Sequence, residues 1–297
     1  LRIIDRLFPW QIFSYRGIVI FSVLLDILFV ALLLVLYYCV LKKSKDEYRV
    51  MLWMVFFIFS TFAFPHFLTE ENLGRTDVCL AILTIIGIVI LFYGRFEFIL
   101  VLLSGLSVCI HQGYVLMFFN VFLVILFVRI IEKDRPVRNI IILALSLAIS
   151  SLLFIYLNFF SHGNGSEIYD EIYSLASNLA YDGAVHRELM MHEVLGESPF
   201  SDEWKYHVIN FKESAVLFVL FFPYILIAIK FFSRCIKDAK GIYKLKYLAI
   251  GLGSLTLLPD FIVKIDYGRW IMATMTYFAV VLCALVVMKD EIITAQL

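Results

Sequence analysis

Long, almost uninterrupted apolar runs dominate the chain, and short charged segments separate them. The runs are about 17 to 24 residues long, the length a helix needs to cross about 30 Å of hydrocarbon. Helices are required because lipid offers no partner for a backbone N–H or C=O group. The pattern predicts spans at about 18–41, 50–67, 77–93, 96–111, 114–131, 139–159, 214–232, 247–263 and 269–288. Around Gly94 and Arg95 the apolar run would be far too long as one helix from 77 to 111, so a tight hairpin of two short spans is expected there. The fold class read from the pattern is all-α, a polytopic transmembrane helix bundle of about nine spans forming a single membrane domain over residues 1–297.

Sidedness follows from where the basic residues collect, because loops rich in Lys and Arg are retained in the cytoplasm. Loops 42–49, 94–95, 129–138 and 230–246, with the C-terminal tail, hold 16 of the 25 basic residues. The opposite face is therefore expected to face outward. Residues 1–16 then lie outside, which fits either an N-out chain or the loss of an earlier span that began inside; the second reading expects ten spans in the intact protein. The outer face also carries the largest polar segment, 160–213, whose part from Glu167 to Glu213 has ten acidic and three basic residues. Stretches 167–179 and 185–195 within it are expected to form amphipathic helices on the bilayer surface or over a cavity.

Composition agrees with the membrane reading. The 297 residues are 62% hydrophobic with a mean hydropathy of +0.92, more apolar side chain than one soluble core buries. Net charge is zero, so the total points to no nucleic acid or charged partner. No Walker motif and no Gly-rich dinucleotide fingerprint is present. The five cysteines, Cys39, Cys79, Cys109, Cys235 and Cys283, show no CxxC spacing, which supports neither a disulfide framework nor a thiolate metal site. No cofactor is expected.

With this topology, three polar clusters reach the outer ends of different spans: Gly74-Arg75-Thr76-Asp77, His111-Gln112-Gly113 and Asp266-Tyr267-Gly268-Arg269-Trp270. Charges at membrane depth are expensive, so each calls for a partner. Asp77 reads equally as a carboxylate at the positive end of a helix dipole. Arg75 and Arg269 offer fork-shaped, permanently charged donors suited to phosphate or pyrophosphate, or else snorkel to headgroups. Asp266 reads as a helix cap or local pair, or as a carboxylate that takes a proton from an acceptor hydroxyl. Asp260 and Lys264 stand close to it in sequence. His111 joins two apolar runs and reads as a satisfied buried histidine or as a proton carrier or substrate hydrogen bond. Six histidines, His66, His111, His162, His186, His192 and His207, fall on this side, but His186 and His192 lack the i, i+4 spacing of a helical zinc pair, so no metal is expected. Asp26 is the single carboxylate deep in an apolar run, either a packing residue or a functional one.

Together the three clusters and the layout resemble the bacterial exopolysaccharide and O-antigen polymerase group, within the C-type membrane glycosyltransferases that use polyprenyl-linked sugars. The resemblance implies glycosyl transfer at the outer face of the bacterial cytoplasmic membrane in surface-polysaccharide assembly, with other polysaccharide-assembly proteins as partners. It implies that Arg75 and Arg269 hold the phosphate of the lipid-linked sugar, and that Asp77, His111 or Asp266 manages the acceptor proton. Two departures stand against it. Enzymes of this class keep an essential acidic residue in the first outer loop, where only Asp5 remains here, and the polymerases carry arginine-rich outer loops whereas this large loop is acidic. A multi-spanning transporter or flippase, or a non-enzymatic assembly partner, are the rival readings.

Overall fold

The computed structural model describes residues 15–43, 76–160, 215, 219, 222–257 and 267–296. Among these residues the secondary structure is helical, with no strand. The α-helices among them are, in order, α1 (Tyr15–Lys43), α2 (Asp77–Tyr93), α3 (Ile99–Ile110), α4 (Tyr114–Met117), α5 (Phe119–Ile131), α6 (Pro136–Phe159), α7 (222–238), α8 (Tyr243–Gly253), α9 (Tyr267–Val287) and α10 (Glu291–Gln296). Expected span 50–67 and the outer loop 160–213 lie outside the described residues, apart from Phe160 at the end of α6.

Among the described residues three stretches, Val19–Cys39 in α1, Pro136–Leu157 in α6 and Arg269–Val287 in α9, are long and apolar enough to cross a membrane. Their surroundings differ. The α9 stretch is buried throughout, the α1 stretch is 28% buried and the α6 stretch 17%. So α9 is the central post of the bundle, while α1 and α6 turn most of their apolar surface outward. On α1 the buried positions Ser22, Asp26, Phe29, Leu33 and Leu36 recur at helical spacing, forming the stripe that meets α2 and α9. An exterior of Ile, Leu, Val and Phe over the length of α6 is what lipid, rather than water, accommodates.

The hairpin expected at Gly94 is present. Gly94 takes the left-handed conformation (φ 66°) that ends α2, its N–H bonds the Ile90 carbonyl, and α3 starts at Ile99. Most other ends shift by up to three residues, and three larger differences stand out. The expected span 114–131 is broken at Phe118, which leaves helical geometry (φ −130°, ψ −19°) and separates a single turn, α4, from α5. The expected span 247–263 instead starts four residues earlier as α8 and gives way at Ser254 to a 3₁₀ turn, Ser254–Leu257. Its early start reflects Lys246 and Tyr247, which are held inside the bundle by Asp290. Finally, α7 continues past the expected end at 232, through Arg234 and Lys237, to residue 238, where Asp238 accepts a bond from Gln296 of α10.

Close packing is concentrated where α2, α3 and α5 meet. A Cβ placed on Gly87 of α2 would run into the Phe122 ring and the Leu100 side chain, both buried. Gly87→Ala is therefore expected to cost about 1–3 kcal/mol, because neither neighbour has room to move. Thermal unfolding in detergent checks this; an unchanged midpoint would mean that the contact relaxes freely.

Candidate functional site

The helix order fixes which residues share an end of the bundle. Helices α2, α4–α5 and α9 begin at one end, and α3 and α8 finish there. That end brings two of the three polar clusters into contact. Asp77, the first residue of α2, and Arg269, in the first turn of α9, form a two-pronged ion pair: Arg269 Nε donates to Asp77 Oδ2 at 2.7 Å and Nη2 donates to Oδ1 at 2.8 Å. The Asp77 side chain is 1% exposed and that of Arg269 13%. Thr76, which precedes α2, makes no side-chain capping bond. Asp77 thus combines the favourable position of a carboxylate at a helix start with a matched fork of donors.

Both Asp77 oxygens are taken up by Arg269, so the carboxylate orients the guanidinium, and a proton-accepting role would require the pair to open. The neighbouring Trp270 ring lies 5.4 Å from the Arg269 guanidinium carbon, close enough for a cation–π contribution. Trp270 is buried, and its indole N–H finds no acceptor among the described residues. Arg269 is thereby fixed at the mouth of the central helix by a carboxylate and an aromatic face.

His111, half-buried, ends α3 in an extended conformation (φ −157°, ψ 124°). Its Nδ1 accepts the Gly113 N–H at 2.9 Å. An accepting Nδ1 carries no proton, so the neutral ring is the Nε2–H tautomer and presents a donor rather than a base. Gly113 also lets the turn fold tightly, since a Cβ there would press on the imidazole. The turn sits at the same end as the ion pair, with α4 packed on α9. Arg75 and Asp266, together with Asp260, Lys264 and the other five histidines, lie outside the described residues. Asp26 is buried on the packing stripe of α1. Among the described residues no group of three or more His, Cys, Asp or Glu is placed to hold a metal.

Below the turn, the broken helix α4–α5 is stitched to the end of α8. Asn120 at the start of α5 donates to the Gly253 carbonyl and to Thr256 Oγ1, both at 2.9 Å, and Thr256 Oγ1 donates to the Leu116 carbonyl at 3.2 Å. Backbone groups released by the break at Phe118 and by the end of α8 are thus met by side chains.

The opposite end holds charge networks that sequence reasoning missed. Glu97, fully buried between α2 and α3, meets Arg129 at 3.0 Å and Arg138 at 2.6 Å. Arg129 also binds Asp134, and Lys246 bridges Glu132 and Asp290, with the Tyr247 hydroxyl donating to Asp290 at 2.8 Å. Counting charges used Arg129, Arg138 and Lys246 only as basic loop residues that set sidedness. The available signal was Glu97 itself, a lone carboxylate in a hairpin between two apolar runs, which demands a cationic partner.

No protein-family model, curated protein or solved structure matches the chain.

Proposed function

We propose that the chain is a membrane glycosyltransferase or polysaccharide polymerase that uses polyprenyl-linked sugars in surface-polysaccharide assembly. In this reading it spans the bacterial cytoplasmic membrane about nine times, the shorter helices pairing as hairpins, and the end bearing Asp77, His111 and Arg269 faces outward. The observation that carries the reading is the Asp77–Arg269 ion pair, which joins two polar clusters 192 positions apart into one charged site at the bundle's end. Arg75 and Asp266 stand two and three residues along the chain from the two partners.

The chemistry asked of these groups is displacement at the anomeric carbon. An acceptor hydroxyl attacks that carbon, the bond to the phosphate oxygen breaks, and the electron pair leaves with the phosphate. Arg269, held by Asp77, and Arg75 stabilise the leaving charge. The His111 Nε2–H donates to substrate oxygen, and Asp266 takes the acceptor proton, since Asp77 is committed to Arg269.

The break between α4 and α5, joined to the end of α8 through Asn120 and Thr256, favours a second reading, a transporter or flippase, because broken helices are a device of transport proteins. One experiment separates the two. The gene is expressed in a host whose lipid-linked glycans can be profiled, and wild type is compared with Arg269→Lys and Asp266→Asn at matched folded yield. The expected result is a wild-type change in the glycan profile that both variants lose, since lysine keeps the charge but not the fork. A wild type that alters nothing, or variants that act like it, would overturn the transferase reading and move the transporter ahead.

A further inference from the structure

At the end opposite the Asp77–Arg269 pair, the 94–98 turn, the 132–135 loop and the first turn of α6 meet in a corner with surplus positive charge. Five basic residues, Arg95, Arg129, Lys133, Arg135 and Arg138, face three carboxylates, Glu97, Glu132 and Asp134, and Glu132 is already bound to Lys246. Asp134 serves Arg129. Glu97 is left as the shared partner of Arg129 and Arg138, with Arg135 further off at 3.9 Å. Two carboxylates, Glu97 and Asp134, do not neutralise three guanidiniums. Arg138 lies 2.6 Å from Glu97, yet its Nε, like its Nη2, has no aligned acceptor among the described residues.

Three further features point the same way. Lys133 (φ 58°) and Arg135 (φ 47°) both adopt the left-handed backbone that side-chain-bearing residues avoid, a cost that structures retain where geometry serves a purpose. Arg135 immediately precedes the 24-residue helix α6, so the positive end of that helix dipole faces the corner. Tyr93, Phe96 and Phe98 are exposed beside it. A tyrosine such as Tyr93 settles at headgroup level, and α6, with the least buried of the three membrane-length stretches, starts there.

We infer that this corner binds the phosphate of an anionic phospholipid headgroup, with Arg135 and Arg138 as the contacting residues and Arg95 and Lys133 supplying the surrounding field. Fixed guanidiniums beside a lipid-facing helix suit a phosphodiester that arrives within the bilayer. A free phosphate has no use for the aromatic rim. The site is independent of the proposed transferase chemistry, which lies at the other end of the bundle.

The test uses the full chain in dodecyl maltoside, with native mass spectrometry and thermal unfolding during titration of short-chain phosphatidylglycerol, short-chain phosphatidylcholine or sodium phosphate. Phosphatidylglycerol is expected to bind at least fivefold more tightly than phosphatidylcholine and to raise the melting midpoint. Arg135→Gln/Arg138→Gln is expected to abolish that preference. Because this change also removes partners of Glu97, Arg95→Gln/Lys133→Gln is measured alongside it; it leaves the Glu97 pairs intact and is expected to weaken phosphatidylglycerol at least threefold. Equal binding of the two lipids, or wild-type preference in the Arg95/Lys133 variant, would overturn the proposal. So would displacement of the lipid by millimolar phosphate, which would assign the corner to a soluble anion.

Discussion

Arg269→Met is expected to destabilise the protein by about 3–5 kcal/mol, the usual result of stripping one partner from a buried ion pair. The magnitude follows from burial: Asp77 is 1% exposed and would be left with neither water nor a guanidinium to satisfy it. A loss of that size is a large share of the roughly 5–15 kcal/mol that holds most folds together. Removing both charges is a different case. Asp77→Leu/Arg269→Met leaves no charge to solvate and should recover most of the loss, because replacing a whole buried pair by apolar groups is often neutral or better. Equilibrium unfolding in mixed detergent micelles gives the cycle directly. A single-variant cost below about 1 kcal/mol would show that the pair is solvated and worth no more than a surface bridge.

The same cycle separates structure from function. If the pair serves only to join α2 to α9, the double variant, once refolded, performs like wild type in the glycan assay. If Arg269 grips a phosphate, the double variant is stable but inactive. Stability and activity then part company in one protein.

Block hydrophobicity made the hairpins legible from sequence, and the reversal at Gly94 followed from length alone, since a helix from 77 to 111 exceeds any bilayer. The placement of Asp77 and Arg269 at one end followed from alternating the direction of successive spans. Their contact did not, because depth along the membrane normal says nothing about which helices are neighbours. The break at Phe118 was invisible for another reason: residues 114–131 are apolar without interruption, apart from Asn120 and Arg129, and carry no Gly or Pro to mark a stop. The side chain that repairs the break, Asn120, was the only mark it left. The early start of α8 was hidden because Lys246 looks like any loop lysine until Asp290 is placed beside it. Arg75 and Asp266 were singled out on the same grounds as Asp77 and Arg269 and lie outside the described residues.

At the basic end, Glu97→Gln and Asp134→Asn remove one negative charge each from the same arginine network, and they are expected to differ severalfold in effect. Glu97 is fully buried and binds both Arg129 and Arg138; glutamine keeps its shape but leaves the Arg129 guanidinium, 7% exposed, short of countercharge. A loss of about 3–5 kcal/mol follows from breaking a buried pair one-sidedly. Asp134 is 47% exposed, so water and salt already screen its contact with Arg129, and its removal should cost about 1 kcal/mol or less. Ionic strength sharpens the contrast. Raising salt to about 1 M shortens the screening length to about 3 Å, which should erase the Asp134→Asn effect while leaving that of Glu97→Gln nearly intact. Unfolding midpoints of the two variants at low and high salt decide the matter. Equal losses would mean that water reaches Glu97, and the corner would then be a loose surface cluster; unequal losses would establish Glu97 as the anchor that holds the arginines of this corner in place.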